Sequence, residues 1–447
     1  MAKKESSTFV CSNCGATSSA WSGRCFNCGE WNTLEQQVIV SDEVSRSAKK
    51  LNPSPIGSNL KKDISRLKSG IEEVDNVLGG GLVLGSVNLV AGQPGIGKST
   101  LLLQLADALA KKYNVLYVSG EESIHQISLR ANRLKVGPKQ LKLATSNSAD
   151  DIAATIKEGK YDVVVVDSIQ TVACDAVNSA TGSVSQITNS THMLTAAAKS
   201  TGTALILVGH VTKEGTIAGP KLLEHMVDVV LQIEGDRYGG FKLLTALKNR
   251  YGSTNESGIF EMVEIGFKPV DNPSAALLAE RQVSDGSVVL ATMEGNRPIL
   301  VEVQALVNKT SYGYPKRAAS GMDLNRVNLL VAMLERRTKL KLADYDIYIN
   351  IVGGIRITEP AADLAVCMAI ASAAMGMQLK VDAVVFGEVG LSGEIRHVPF
   401  IEKRIAEAKK LGFNSVIGPA TKEKQAQSKY NVVRNIKTAL NTFLEKE

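Results

Sequence analysis

The chain has no apolar stretch behind its N-terminus; MAKKESS runs straight into polar sequence, which argues against a signal peptide. It also lacks a long hydrophobic run. The longest nearly uncharged apolar segment is Leu364 to Leu379, flanked by Asp363 and Lys380. That falls short of the roughly 20 residues a membrane helix needs, so a buried helix and no membrane partner are expected. Cysteine is scarce beyond the first thirty residues, where only Cys174 and Cys367 occur. A secreted disulfide framework would spread its cysteines, so reduced thiols and a cytoplasmic location are expected. Regular repeats and low-complexity tracts are absent too.

What remains is an ordinary soluble composition. The 447 residues are 44% hydrophobic and 21% charged, with a formal net charge of +6. The length suits about two to four domains. The mild basicity permits a polyanionic partner without requiring one.

Four of the six cysteines form two C-x-x-C pairs, Cys11-Ser-Asn-Cys14 and Cys25-Phe-Asn-Cys28. Gly15 and Gly29 follow them and suit tight knuckles. Four thiolates at this spacing can close a tetrahedral Zn²⁺ site, and so small a segment would draw its folding energy from the metal. A redox dithiol pair or an iron–sulfur site is the competing reading. The zinc module is placed at 8–34. A linker at 35–65 follows, polar and basic, with Pro53, Pro55 and Gly57. Trp21, Arg24 and Trp31 fit nucleic-acid contacts or packing beside the metal equally well.

From 66 to 268, short apolar runs alternate with helical patterns. Ser86 to Val90, Val115 to Val118, Val163 to Val166, Ala204 to Val208 and Val229 to Ile233 read as doubly buried strands. Leu101, Leu102, Leu105 and Leu109 mark one helix face. The pattern predicts an α/β fold with a mostly parallel sheet covered by helices.

Gly92-Gln93-Pro94-Gly95-Ile96-Gly97-Lys98-Ser99, followed by Thr100, fits the P-loop pattern between a strand and a helix. Its backbone N–H groups and the helix N-terminus suit the phosphates of ATP. Lys98 can reach the β and γ phosphates, and Ser99 can ligate Mg²⁺. Asp167 ends the four-valine strand, where α/β sheets place ligands, and can hold Mg²⁺ through water. Glu121, with Glu122 as the alternative, ends another strand and can orient the attacking water.

The segment Ser69 to Leu82 leading into Gly85-Ser-Val-Asn-Leu-Val-Ala-Gly92 resembles the ATPase core of the RecA, KaiC and DnaB superfamily. In that superfamily a glutamate after the second core strand activates water, as Glu121 could. A polar residue ending a later strand senses the γ phosphate, as His210 could. Lys248-Asn-Arg250-Tyr-Gly252 resembles the KNRFG motif of the bacterial RadA (Sms) family, with Tyr251 in place of Phe. The resemblance implies that Lys248 and Arg250 reach ATP bound by a neighbouring subunit. Gly209-His-Val-Thr-Lys-Glu-Gly215 resembles the HVTKEG loop of the same family, which makes Lys213 a candidate DNA-phosphate contact; Lys248 and Arg250 are carried as DNA-contact candidates too. Cys174 to Thr191 reads as a mobile, DNA-facing loop.

The region 270–447 is α and β again. Ile347, Ile349 and Ile351 alternate with polar residues, and Val327, Leu330, Val331 and Leu334 have helical spacing. It resembles the proteolytic domain of Lon. Ala361 stands where the Lon serine would be, and an ungapped alignment puts Glu402 at the lysine, with Lys403 and Arg404 beside it. The resemblance therefore implies a Lon-like domain without peptidase activity. Lys309, Lys316 and Arg317, around Tyr312 and Tyr314, form a basic and aromatic cluster that suits DNA or simply solvent.

Taken whole, the resemblance implies a homo-hexameric, ATP-hydrolysing DNA motor. It would bind single-stranded and branched DNA and drive branch migration alongside the RecA recombinase, with ATP, Mg²⁺ and Zn²⁺ as cofactors. Two rivals stand: a KaiC-like signalling ATPase or kinase, and an ATP-dependent Lon-like protease.

Overall fold

The computed structural model describes residues 7–11, 14, 16–18, 20–38, 66–137, 141–210, 222–235, 241–311, 313–421 and 430–446. The chain divides into two compact units, 1–63 and 64–447.

In the first unit, β1 (Ser7–Cys11) pairs antiparallel with β2 (Thr17–Ser18) and β3 (Leu34–Val38). Leu34 to Val38 lie opposite Cys11 to Ser7, so paired structure continues past residue 34 into the stretch read as linker. The core is Cys11, Cys25 and Leu34, with Phe9 and Ala16 against it. So small a core cannot by itself offset the entropy of ordering the chain.

The second unit opens with β4 (Arg66–Leu67) and β5 (Leu82–Val83), paired antiparallel on either side of α1 (Glu72–Val77). A strand–helix series follows: β6 (Val87–Gly92), α2 (Lys98–Ala110), β7 (Val115–Ser119), α3 (Ile124–Arg133), β8 (Leu141–Thr145), α4 (Ala149–Glu158), β9 (Val163–Asp167), α5 (Val184–Thr201), β10 (Ala204–His210), α6 (Leu222–Met226) and β11 (Val229–Gly235). Three antiparallel strands complete the sheet: β12 (Phe241–Asn249), β13 (Ser257–Val263) and β14 (Gly266–Pro269). The strand order is β14-β13-β12-β11-β6-β10-β9-β7-β8. The four valines of β9 explain the two-sided burial. Val163 and Val165 join the core that contains α2, while Val164 and Val166 join the core under α4 and α5. This is the expected α/β core of RecA type.

One expectation fails here. The polar segment after Cys174 is not a loop as far as Thr191, because α5 starts at Val184. Ser183 accepts the Gln186 N–H as an N-cap, and Ser-x-x-Gln is a helix-start signature. The Gln186 side chain also donates to the carbonyls of Val177 and Ser179 and accepts from Cys174 N, which pins the preceding turns.

The remainder holds α7 (Pro273–Leu278), β15 (Ser287–Glu294), β16 (Arg297–Lys309), β17 (Arg317–Ser320), α8 (Leu324–Thr338), β18 (Tyr345–Ile351), α9 (Asp363–Met375), β19 (Gln378–Leu379), β20 (Ala383–Val385), β21 (Glu388–Val389), β22 (Ile395–Arg396), α10 (Ile401–Lys410), β23 (Ser415–Pro419), β24 (Asn431–Val433), α11 (Ile436–Phe443) and β25 (Leu444–Glu445). Its main sheet has the order β17-β18-β16-β15-β20-β23-β24. Pro360 opens a 3-10 turn that feeds α9. The whole stretch Asp363 to Ser372 of α9 is buried, which is the burial expected of the apolar run. Among the described residues no helix is long and apolar enough to cross a membrane.

Candidate nucleotide and metal sites

The central strand β6 ends at Gly92, and the chain turns through Gly97 into α2. Two glycines are required by geometry. A Cβ on Gly92 would lie 2.9 Å from Ile233 O. One on Gly97, already at φ +107°, would lie 2.6 Å from the Met262 methyl. No side chain caps α2, so the N–H groups of its first turn, at Lys98, Ser99 and Thr100, remain available to an anion. Lys98 is buried and donates to Gly92 O at 2.9 Å and Gln93 O at 3.2 Å. Burial lowers its pKa, opposed by the charges of Asp167 and Glu121.

Asp167 ends β9 one strand beyond β10, and the fold brings Glu121 beside it from the end of β7. The Ser168 hydroxyl donates to Glu121 Oε1 at 2.5 Å. Glu122 is turned elsewhere, ion-paired to Arg130 at 2.5 Å. Lys98, Asp167 and Glu121 therefore form one cluster at the C-terminal ends of the strands, and Glu122 belongs to a separate pair.

Tyr117 was not anticipated in this cluster. Its hydroxyl donates to Asp167 Oδ2 at 2.6 Å. Burial first, then the Asp167 charge, raises its pKa well above the ordinary phenol value. An aromatic in an apolar strand reads as core, so periodicity alone could not single it out.

Lys248 and Arg250 lie at the other end of the sheet. Lys248 pairs with Val230 beside a bulge, and Arg250 lies just past the end of β12. Lys248 Nζ donates to Glu224 O at 2.5 Å and Val227 O at 2.8 Å, capping the end of α6. Burial and then Arg250 lower its pKa. Arg250 N donates to Asp228 O, and Asp228 N donates to Val87 O. That sets Arg250 level with Val87, the first residue of β6. Gly92 is the last residue of the same strand, so the gap along it is about 16 Å at roughly 3.3 Å per residue. His210 ends β10, but its side chain lies outside the described residues, as does Lys213.

In the first unit the four thiol sulfurs lie within 4.8 Å of one another, with Cys11–Cys28 at 3.6 Å and Cys14–Cys25 at 3.7 Å. Bonds of about 2.3 Å in a tetrahedron put sulfurs about 3.8 Å apart, so the four cysteines fit one metal ion. Trp21, Phe26 and Trp31 are exposed, and the Arg24 guanidinium lies 5.8 Å from the Trp31 ring.

In the C-terminal part, Ala361 is buried and has no hydroxyl. Glu402 is exposed on α10. Arg404, fully buried, pairs with Glu359 at 2.6 Å and also donates to Pro399 O. Lys309 and Tyr314 are exposed, while Tyr312 is outside the described residues. A cavity of about 640 Å³ runs from Gln93 and Ile96 of the phosphate loop to Glu294 and Arg356. Glu294 has its pKa raised to about 7, chiefly by burial, then by Glu359 and Glu234.

Comparison with known proteins finds three family matches along the chain. Residues 54–216 match an AAA domain, 9–36 a rubredoxin metal binding domain, and 318–422 subunit ChlI of Mg-chelatase. Among solved structures, a RadB recombinase covers 46% of this chain and 100% of its own at 21% identity and a TM-score of 0.37. The DNA repair protein RadA of Pseudomonas aeruginosa is 45% identical, with 98% of each chain covered. That of Bacillus subtilis is 48% identical, with 93% of each chain covered. With matches of this extent, the chain belongs to the RadA family of DNA repair proteins.

Proposed function

We propose that this protein is an ATP-driven DNA motor of recombination and repair. It binds single-stranded DNA, works on branched intermediates together with the RecA recombinase, and hydrolyses ATP between the subunits of a homo-hexamer. The observation that carries the reading is the separation of two catalytic half-sites on one sheet. Lys98, Asp167 and Glu121 cluster at one end; Lys248 and Arg250 stand at the other, too far to serve their own phosphate loop.

The roles follow from that division. Backbone N–H groups from Gly92 to Thr100 cradle the phosphates, and Lys98 leaves its loop carbonyls for the β and γ phosphates. Ser99 and Asp167 hold Mg²⁺, which neutralises phosphate charge when bound. Glu121 orients the attacking water and His210 senses the γ phosphate. Lys248 and Arg250 stabilise charge on the phosphoryl group held by the adjacent protomer. Lys213, with Lys248 and Arg250 as further candidates, contacts DNA phosphates. Cys11, Cys14, Cys25 and Cys28 hold Zn²⁺ and so fold the N-terminal unit. The Lon-like part serves assembly: Ala361 offers no nucleophile, and Arg404, the buried cation of α10, is held by Glu359.

The test is ATP hydrolysis with and without single-stranded DNA, with Lys98→Ala as the blank. Stimulation by DNA is expected. Hydrolysis indifferent to DNA would remove the motor and favour a signalling ATPase.

A further inference from the structure

Asp228, between α6 and β11, is 2% exposed, and its carboxylate is the meeting point of two parts of the sheet. Oδ2 accepts the backbone N–H of Val87 at 3.1 Å. Oδ1 accepts from Arg250 Nη1 at 3.1 Å and lies 3.8 Å from Lys199 Nζ. Tyr251 feels the same carboxylate: burial first, then the Asp228 charge, raises the pKa of its hydroxyl. The backbone joins the same knot, through Asp228 N to Val87 O and Arg250 N to Asp228 O.

Two features separate this arrangement from a buried charge that merely needs neutralising. The Arg250 side chain is 54% exposed, so Asp228 holds one edge of the guanidinium while the rest faces outward. And the other oxygen of the carboxylate grips the first residue of the strand that ends in the phosphate loop. An unheld arginine would sample many rotamers and lose them on reaching its target; a held one is preorganised.

We infer that Asp228 is a positioning residue for catalysis in the adjacent protomer: it aims Arg250 outward and fixes that aim to the start of the phosphate-loop strand. The inference rests on the reading that Arg250 acts in trans. Asp228 lies at the opposite end of β6 from its own phosphate loop and acts through Arg250.

The substitution is Asp228→Asn in the full chain, which keeps the shape and an acceptor for Val87 N but removes the charge. In DNA-stimulated hydrolysis, kcat should fall by roughly 10- to 100-fold, as for a misaimed catalytic group, with KM for ATP changed less than about twofold. The decisive measurement mixes D228N with Lys98→Ala chains before assembly. The K98A protomer has a dead phosphate loop but an intact Asp228 and Arg250. An interface where it faces a D228N loop is complete, so turnover per D228N protomer should rise several-fold. Mixing Arg250→Ala with K98A in parallel tests the trans role itself.

A rise in both mixtures supports the inference. A rise with R250A but not with D228N overturns it, placing Asp228 within its own protomer and leaving the trans role intact. No rise in either removes the trans role and the inference together. If melting shows that D228N does not fold, Asp228→Glu, which keeps the charge but displaces it, replaces it in the same mixtures. A rise or its absence then carries the same meaning.

Discussion

The Tyr117 hydroxyl reaches from β7 to the neighbouring strand β9 and donates to Asp167 Oδ2 at 2.6 Å. It fixes one oxygen of the carboxylate proposed to hold Mg²⁺ and leaves the other for solvent or metal. Tyr117→Phe removes a bond to a charged acceptor worth about 1.5–3 kcal/mol. The expected result is a lower melting temperature and a shifted Mg²⁺ dependence of hydrolysis, with half-saturation at higher Mg²⁺. An unchanged Mg²⁺ titration would take Tyr117 out of the site.

The two adjacent glutamates should separate cleanly. Glu121→Gln is expected to lower kcat by about 10²-fold or more, the usual scale for losing a water-orienting base. Glu122→Gln breaks the pair with Arg130 and should cost at most about 1 kcal/mol of stability, with near-normal turnover. Equal loss in both variants would overturn the assignment.

Lys248→Ala and Arg250→Ala should separate binding from hydrolysis. Mg-ATP affinity should stay within about threefold of the parent, because neither residue reaches its own loop. Turnover should fall by about 10³-fold, the scale of a lost trans arginine. Calorimetry of nucleotide binding beside steady-state hydrolysis decides it. Parallel loss of affinity and turnover would place both cations at their own nucleotide.

Glu294 gives the second unit a pH dependence of definite sign. Its carboxyl is raised from 4.5 to about 7, so between those values the folded state holds more proton than the unfolded one. Stability from this group is complete below about pH 4.5 and is lost as pH rises through 7. Glu294→Gln should therefore stabilise the protein at pH 8 by about 1–3 kcal/mol and leave it unchanged near pH 4.5. Denaturant melts at the two pH values give the difference; a gap that widens on acidification would reverse the sign.

Zinc removal can be followed without interference from the larger unit. Both tryptophans of the chain, Trp21 and Trp31, lie in the cysteine module. A strong chelator should change tryptophan anisotropy and quenching while helical circular dichroism persists, since every described helix lies beyond residue 63. Tryptophan signals indifferent to chelation would rule out metal-dependent folding of the module.

Much of this architecture is legible in the residues because burial on both faces leaves an unmistakable pattern. Val163 to Val166 can only be a covered strand, and Gly92 to Ser99 between a strand and a helix can only turn one way. The α5 start at Val184 was hidden because small polar residues carry little periodicity; Ser183 with Gln186 was its one visible mark. Tyr117, Asp228 and the Glu359–Arg404 pair were out of reach for another reason. Each meets a partner dozens of positions or a whole strand away, and only strand order decides which distant residues become neighbours. The same order separates Glu121 from Glu122, which look alike on paper.

The placement of Arg250 at the start of β6 and the phosphate loop at its finish gives each protomer a direction. If the cation serves a neighbour, a two-fold contact could complete sites only by drawing both half-sites of each protomer into one shared interface. A heterologous, head-to-tail contact joins one loop to one cation, and only a closed cycle of such contacts leaves none over. An open chain of any length would always carry one phosphate loop without its cation and one cation without a loop, so closure itself would add a working site.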